Sequence, residues 1–595
     1  MGAQTMDLDV LINGATVVDG TGAPAVQANI GIVGERIVGI GDFGAQAARV
    51  IDASGLVACP GFVDAHSHAD LSILQYPLAE NLIMQGITTF VGGNCGFSPA
   101  PVKETGYAER LLRRWSDDGQ ISWRTFGDWL DMVETHGISP NYVPLVGHNS
   151  LRGALMGQDF QRAASRGEVA EMELMLAEAL QSGAHGVSVG LDAAWPGHFA
   201  ERGELAALVR ATGERGGLFA PHTRHHQNQW PVDDPAEFGY GLFHAPRGEI
   251  ITGRYHGLLE AVEIARAAGS VKTHIAHFTP AYIVPQPHPA FLDDALAQAT
   301  LVDVIDRAND EGLDVSFNAI AWSQSIGAEA PILDDFFSHQ LLLPDWLRAL
   351  DREAFVERLS DPPFRARVKN VITSGKFKFG MIHPLTDPYW IDCYRILRCR
   401  ERTFEGRTLG ELARERQPGD IIRAVYETSL DVLLDILAVD PGATWALIID
   451  KREYGALAVF FQHPRGVPCT DVAAMPAQPV RKFNVPPSAY GLYPHYLRTF
   501  VKEKGALSLE HAVRKATSVP AREVFGLQDR GVLREGAYAD VVLFDFDALE
   551  EANDFLKPAQ PPRGISQVFV NGVTAYERGR HTGALPGKVL RRGEC

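Results

Sequence analysis

A chain of 595 residues with 46% hydrophobic and 22% charged residues has the balance of a large globular protein, longer than one core usually supports. Its formal net charge of −18 argues against nucleic acid or an anionic membrane surface as a partner. No apolar stretch reaches the ~18 residues of a membrane span, no basic-then-apolar leader opens the sequence, and its six cysteines form no CxxC pair; cytoplasm is the expected location.

Residues 6–58 read as short strands with turn signals, in VLINGATVVDGTG, ANIGIVGERIVGIG and ARVIDASG. Gly39, Gly41 and Gly44 match the dinucleotide fingerprint GxGxxG there. That fingerprint needs a helix directly after it, and AQAARVIDASG offers about one helical turn, so the match is set aside. The end of the chain returns to the same style in GVLREGAYADVVLFD and ISQVFVNGVTAYERG. Two β-rich ends predict one small β-sandwich built from residues 1–58 and 516–595, with a larger domain, residues 59–515, inserted between them.

The inserted domain opens on LVACPGFVDAHSHAD. Side chains alternate faces along an extended strand, so His66 and His68 share one face and Ser67 turns to the other. Further donors then close successive apolar runs: Cys95 after ITTFVGGN, His222 after GGLFAP, His277 after SVKTHIA and Asp471 after GVPCT. His274 and His277 fall on opposite faces, so one of them is the donor; His277, nearer the strand's end, is preferred and His274 is the alternative. Imidazole, thiolate and carboxylate together suit zinc or a similar borderline metal. Residues at the carboxyl ends of several strands converge above all in a (β/α)8 TIM-like barrel, whose loops open on one face.

The middle of the chain alternates as such a barrel requires. Ser165 and Glu168 have capping-box spacing ahead of the amphipathic run VAEMELMLAEALQSG, stopped at Gly183, and the strand-like HGVSVGL follows. HGLLEAVEIARAAG precedes SVKTHIAHF, and LVDVIDRANDEG precedes LDVSFNAI. The alternation breaks over about residues 325–440, read as an insertion that shapes either a substrate pocket or a homo-oligomer contact. Gly186, Ser188 and Gly190 match the GxSxG nucleophile elbow, yet LDAAWPGHF after them is not helical. Arg152 and Arg224 lie near the presumed site in sequence and carry the fork that binds carboxylates.

Taken together, GFVDAHSHAD, GGNCGFSP, GHNSLRGALMG, SVGLDAAWPG, PHTR, IAHF and SAYGLYPHYLRTFVKEKGALSLEHAVRKAT resemble the amidohydrolase superfamily, and within it the N-acyl-D-amino-acid deacylases. The resemblance spans nearly the whole chain. It implies a zinc enzyme holding one or two ions, with His66, His68, Cys95, His222, His277 and Asp471 as ligands. It further implies a tighter position at Cys95, His222 and His277, and a weaker one at the histidine pair with Asp471. Many binuclear relatives bridge their metals with a carbamylated lysine. Here Lys103 is the only lysine between Met1 and Val271, in the polar PVKETGYAER, so the bridging role falls to Cys95.

The implied reaction is hydrolysis of a small-molecule amide, with Asp471 taking a proton from water and returning it to the leaving nitrogen. Two other classes compete: a serine hydrolase using Ser188, and a non-catalytic scaffold, which would have no need of a full donor set. The chain also departs from the deacylases it resembles. Thr279 stands where a lysine is usual, Ser488 where an arginine is usual, and GLDAAWPG displaces the tyrosine of GLxYPPG. Those cations hold the substrate's free α-carboxylate. Weak activity on simple N-acetyl-D-amino acids is therefore expected, with better turnover of bulkier or uncharged amides, unless Arg152 or Arg224 supplies the missing charge.

Overall fold

The computed structural model describes residues 7–42, 46–103, 105–115, 121–191, 195–224, 242–244, 250–281, 289, 291–322, 327–329, 344–373, 390–418, 422–447, 453–478, 485–554 and 557–593. Eight parallel strands follow one another around its centre: β1 (Phe62–Asp64), β2 (Ile87–Gly92), β3 (Asn141–Pro144, continued by Val146–Gly147), β4 (Gly186–Gly190), β5 (Leu218–His222), β6 (Thr273–Ile275), β7 (Val315–Ile320) and β8 (Gly466–Cys469). β3 changes partner midway, since Asn141–Pro144 pairs with β2 and Val146–Gly147 with β4. The circle closes beyond the ends of β8 and β1, where Asp471 N donates to His66 O at 2.9 Å and His68 N to Val472 O at 2.8 Å. Helices cover the outside; the one at Arg166–Gln181 carries the expected capping box, with Glu168 N donating to Ser165 Oγ and Ser165 N to the Glu168 carboxylate.

Both termini enter one further sheet of nine strands. Val541–Phe544 pairs antiparallel with Val57–Pro60, which joins the C-terminal strands to Asp7–Val17 and its neighbours. This sheet closes over its own core of Val10, Ile12, Ile30, Ile32, Val541, Leu543 and Phe569, the sandwich expected from the two β-rich ends. Gly39 and Gly41 lie on the strand Arg36–Gly41, not in a strand-to-helix turn, which disposes of the dinucleotide reading; Gly44 is outside the described residues. Between β7 and β8 the chain builds a separate core from Phe355, Phe364, Val368, Leu430, Leu433, Leu437 and Trp445, topped by a small sheet of Gly327–Glu329, Tyr394–Arg398 and Thr444–Leu447.

The C-terminal tail straps the floor of the barrel. Leu590 N donates to Tyr142 O at 2.7 Å, and the His185 Nε2, just before β4, donates to Leu590 O at 2.8 Å. Burial pushes the His185 imidazole down to about 4, because the charged form loses its water. A base whose folded-state pKa is depressed contributes stability above its unfolded pKa and loses it as pH falls through the folded value. Relative to a His185→Gln variant, the protein should therefore lose about 2 kcal/mol between pH 7.5 and pH 5. Urea melts of both proteins at the two pH values measure this, and parallel pH dependences would refute it.

Candidate metal centre

Six donors, placed by five different strands, meet at the carboxyl end of the barrel. β1 stops at Asp64, so His66 and His68 lie just past the strand rather than on it. They still face one way, because Ser67 is turned inward and its Oγ donates to Val472 O at 2.8 Å. Their Nε2 atoms each lie 3.2 Å from Asp471 Oδ1. Cys95 follows β2 in a turn, His222 is the last residue of β5, and His277 turns inward after β6. Cys95 Sγ lies 3.3 Å from His66 Nε2, 3.5 Å from His222 Nδ1 and 3.4 Å from His277 Nε2.

Two donor groups thus share one thiol: His66, His68, Cys95 and Asp471, and Cys95, His222 and His277. Around a tetrahedral ion with ordinary zinc bond lengths, neighbouring donors stand about 3.3–3.6 Å apart. The contacts of the thiol and of Asp471 fall in or close to that range. His222 Nδ1 and His277 Nε2, at 2.8 Å, need only part by roughly half an ångström to straddle such an ion. Burial alone would raise the Asp471 carboxyl, but His66 and His68 beside it hold it well below the usual carboxylate range. Asp64 behaves oppositely: burial pushes it up to about 7, although Thr470 N donates to its Oδ1 at 2.9 Å and the Thr470 hydroxyl to its Oδ2.

His274 points away from this cluster. Its Nδ1 meets Ser316 Oγ at 2.8 Å, and burial lowers its pKa to about 3, so it stays neutral. Of the SVKTHIAHF pair, His277 is the one that faces Cys95. Lys103 pairs on the surface with Glu171 at 2.7 Å and takes no part. Ser188 lies inside β4 with its hydroxyl donating to Gly93 O and accepting from Gly96 N at 2.9 Å. The strand runs on past Ser188 to Gly190, so no strand-to-helix turn, and hence no nucleophile elbow, forms at Ser188.

The structure gives both arginines carboxylate partners within the protein. Arg152 is fully buried and spends Nη1 on both oxygens of Glu204, at 2.7 and 2.6 Å, and Nη2 on the carbonyls of Phe160 and Arg162. His148 Nε2 meets the same Glu204 at 2.7 Å. Arg224 donates to Glu260 at 2.8 Å and to the carbonyls of His198 and Ala200. Each guanidinium already faces a buried glutamate, which offsets the charge that a substrate carboxylate would need. Both arginines brace the loops around the site instead. Thr279 is half-buried two residues past His277, and Ser488 is buried at the start of the helix Ser488–Leu497. Asn81 Nδ2 ties Ala489, beside Ser488, to Ala473, two residues past Asp471. Asp192, the carboxylate that follows the GVSVGL run and the next candidate for the base after Asp471, lies outside the described residues, as do His225 and His226.

Sequence reasoning missed Trp195. Its ring packs 4.5 Å from that of His222 and edge-on to Phe97 at 5.1 Å, giving the site an aromatic wall. The signal was the tryptophan itself, in the segment where a tyrosine was noted as displaced.

The chain is similar to known deacylases over nearly its whole length. The N-acyl-D-glutamate deacylase of Alcaligenes xylosoxydans xylosoxydans is 30% identical over 588 residues, covering 98% of this chain and 97% of that protein. The N-acyl-D-aspartate deacylase of the same organism is 29% identical over 599 residues, covering 99% and 96%. The crystal structure of N-acyl-D-glutamate deacylase from Bordetella bronchiseptica, complexed with zinc and a phosphonate that mimics the tetrahedral intermediate, matches with a TM-score of 0.67 at 28% identity, over 98% of this chain and 100% of that one. The profile of the Amidohydrolase family matches residues 49–326 and 478–576, leaving out the stretch that contains the separately cored insertion and β8. With the family profile matching more than half of its residues and a barrel and sandwich to carry them, the chain belongs to the amidohydrolase family.

Proposed function

We propose that the protein is a zinc-dependent hydrolase of the N-acyl-D-amino-acid deacylase type, cleaving a non-peptide amide to a carboxylic acid and an amine. The observation that carries this is the Asp471 carboxylate, 3.2 Å from both His66 and His68 and one edge of a cluster that shares the Cys95 thiol. His66, His68, Cys95, His222, His277 and Asp471 would hold one or two zinc ions, which supply Lewis-acid polarisation of the scissile carbonyl and acidify water. Asp471, ionised at neutral pH, accepts the proton of the attacking water. The same carboxyl then delivers it to the leaving nitrogen, since expelling an unprotonated amine is the difficult step. Among the described residues the buried thiols Cys59, Cys399 and Cys469 form no disulfide, which supports a cytoplasmic setting, and no helix is long and apolar enough to cross a membrane.

Arg152 and Arg224 are committed to Glu204 and Glu260, and Thr279 and Ser488 carry no charge. Each lost charge-assisted bond to a substrate carboxylate is worth ~1.5–3 kcal/mol in a dry site. We therefore expect kcat/KM to be higher for the α-carboxamide of N-acetyl-D-leucine than for N-acetyl-D-leucine itself. Steady-state kinetics on zinc-replete protein, with and without a chelator, test both statements. Chelator-insensitive hydrolysis would sink the metal reading, and high efficiency on the free acids would restore the usual substrate of the deacylases.

A further inference from the structure

Three of the donors sit on backbone that L residues avoid: Cys95 at φ 51°, His277 at φ 28° and Asp471 at φ 58°. Such conformations persist only where neighbours over-determine them. For Cys95 the neighbour is Ser188 on β4, which lies beyond β3 from β2. Its single hydroxyl donates to Gly93 O and accepts from Gly96 N at 2.9 Å, so it brackets Cys95 on both sides. Asn149 Nδ2 holds the Cys95 carbonyl at 3.1 Å, and that carbonyl lies against Gly190, where an added Cβ would come within 2.1 Å of it. For His277 the neighbour is Asn318 on β7. Its Oδ1 accepts from His277 N at 2.7 Å and from the Cys469 thiol at 3.1 Å, while its carbonyl accepts from Phe278 N at 2.6 Å.

Ser188 and Asn318 are buried polar side chains within apolar strands, and in the contacts above they bond backbone on the donor-bearing turns, not the donor atoms. We infer that Ser188 and Asn318 are positioning residues of the metal centre: each fixes, from another strand of the barrel, the left-handed turn that aims one donor of the Cys95, His222 and His277 group. A residue that merely satisfies its own burial would support stability without setting metal affinity. Outer partners that orient ligands typically change affinity ~10–100-fold when removed. The inference rests on the zinc reading above.

The test compares wild type with Ser188→Ala, Ser188→Thr, Asn318→Leu and Asn318→Asp, using zinc alone as the probe in competition with a chromophoric chelator. The thiolate-to-metal absorption band of the cobalt(II)-loaded proteins and the melting temperatures of the metal-free proteins accompany it. Ser188→Ala and Asn318→Leu are expected to bind zinc at least ~10-fold more weakly. Ser188→Ala should also lose intensity in the cobalt band. Threonine keeps the hydroxyl and aspartate keeps the acceptor, so both should recover most of the affinity. Folded Ser188→Ala and Asn318→Leu proteins that lower only the melting temperature, with wild-type affinity and spectrum, would overturn the inference. If Ser188→Ala does not fold, the two Asn318 variants decide. A wild type that takes up no zinc would instead sink the metal reading, and the positioning roles with it.

Discussion

Cys95→Ala is expected to abolish hydrolysis and to lower bound zinc well below the wild-type content. The thiol is the only soft anionic donor in the cluster, and it belongs to both donor groups. Its Sγ stands 3.3–3.5 Å from His66, His222 and His277, so its removal strips each group of a ligand at once. Alanine is smaller and supplies no donor, and the left-handed backbone at φ 51° remains to be held without a ligand that uses it. Metal analysis after gel filtration, with turnover measured on the same sample, checks both halves. A variant that kept full zinc and full activity would contradict the assignment.

Asp471→Asn should separate binding from chemistry. The carboxamide has nearly the same shape, and the group of Cys95, His222 and His277 does not include it, so zinc at that position should be largely retained. A neutral amide, however, cannot accept the proton of water at pH 7, nor return it to nitrogen. The rate should fall by ~10²–10⁴, the usual scale for losing a general acid–base group. A near wild-type rate would transfer the base role to another carboxylate, with Asp192 the first to replace in turn.

The donors were legible in the sequence because each ends an apolar run, and a strand end is where a barrel exposes its side chains. The sandwich was legible for a similar reason: alternating β-rich segments at both ends had to bury a face against something, and each other was the nearest choice. The partners of Arg152 and Arg224 were not legible, because nearness along the chain does not reveal the competing carboxylate. Glu204 lies 52 residues from Arg152, and only the packing of helix on helix brings the two together. Ser188 and Asn318 were invisible as clamps, since a hydroxyl or amide within GVSVG or VSFNAI looks alike whether it faces solvent or a turn. What could have been read is that both interrupt buried strands, where an unsatisfied polar group is not tolerated.

The position of the insertion bears on the order in which the chain assembles its site. Cys95 meets His222 and His277 across separations of 127 and 182 residues, whereas Ser67 meets Val472 across 405. Loop-closure entropy grows only logarithmically, so the last doubling costs just about 0.6 kcal/mol. A module with its own core between the seventh and eighth strands is therefore nearly free in equilibrium stability, but it delays β8. A nascent chain that has arranged its first seven strands already holds the thiol and all four histidines, and lacks only the carboxylate. On the proposed assignment, the proton-handling carboxylate would join last, after the thiol and histidines proposed to hold the metal.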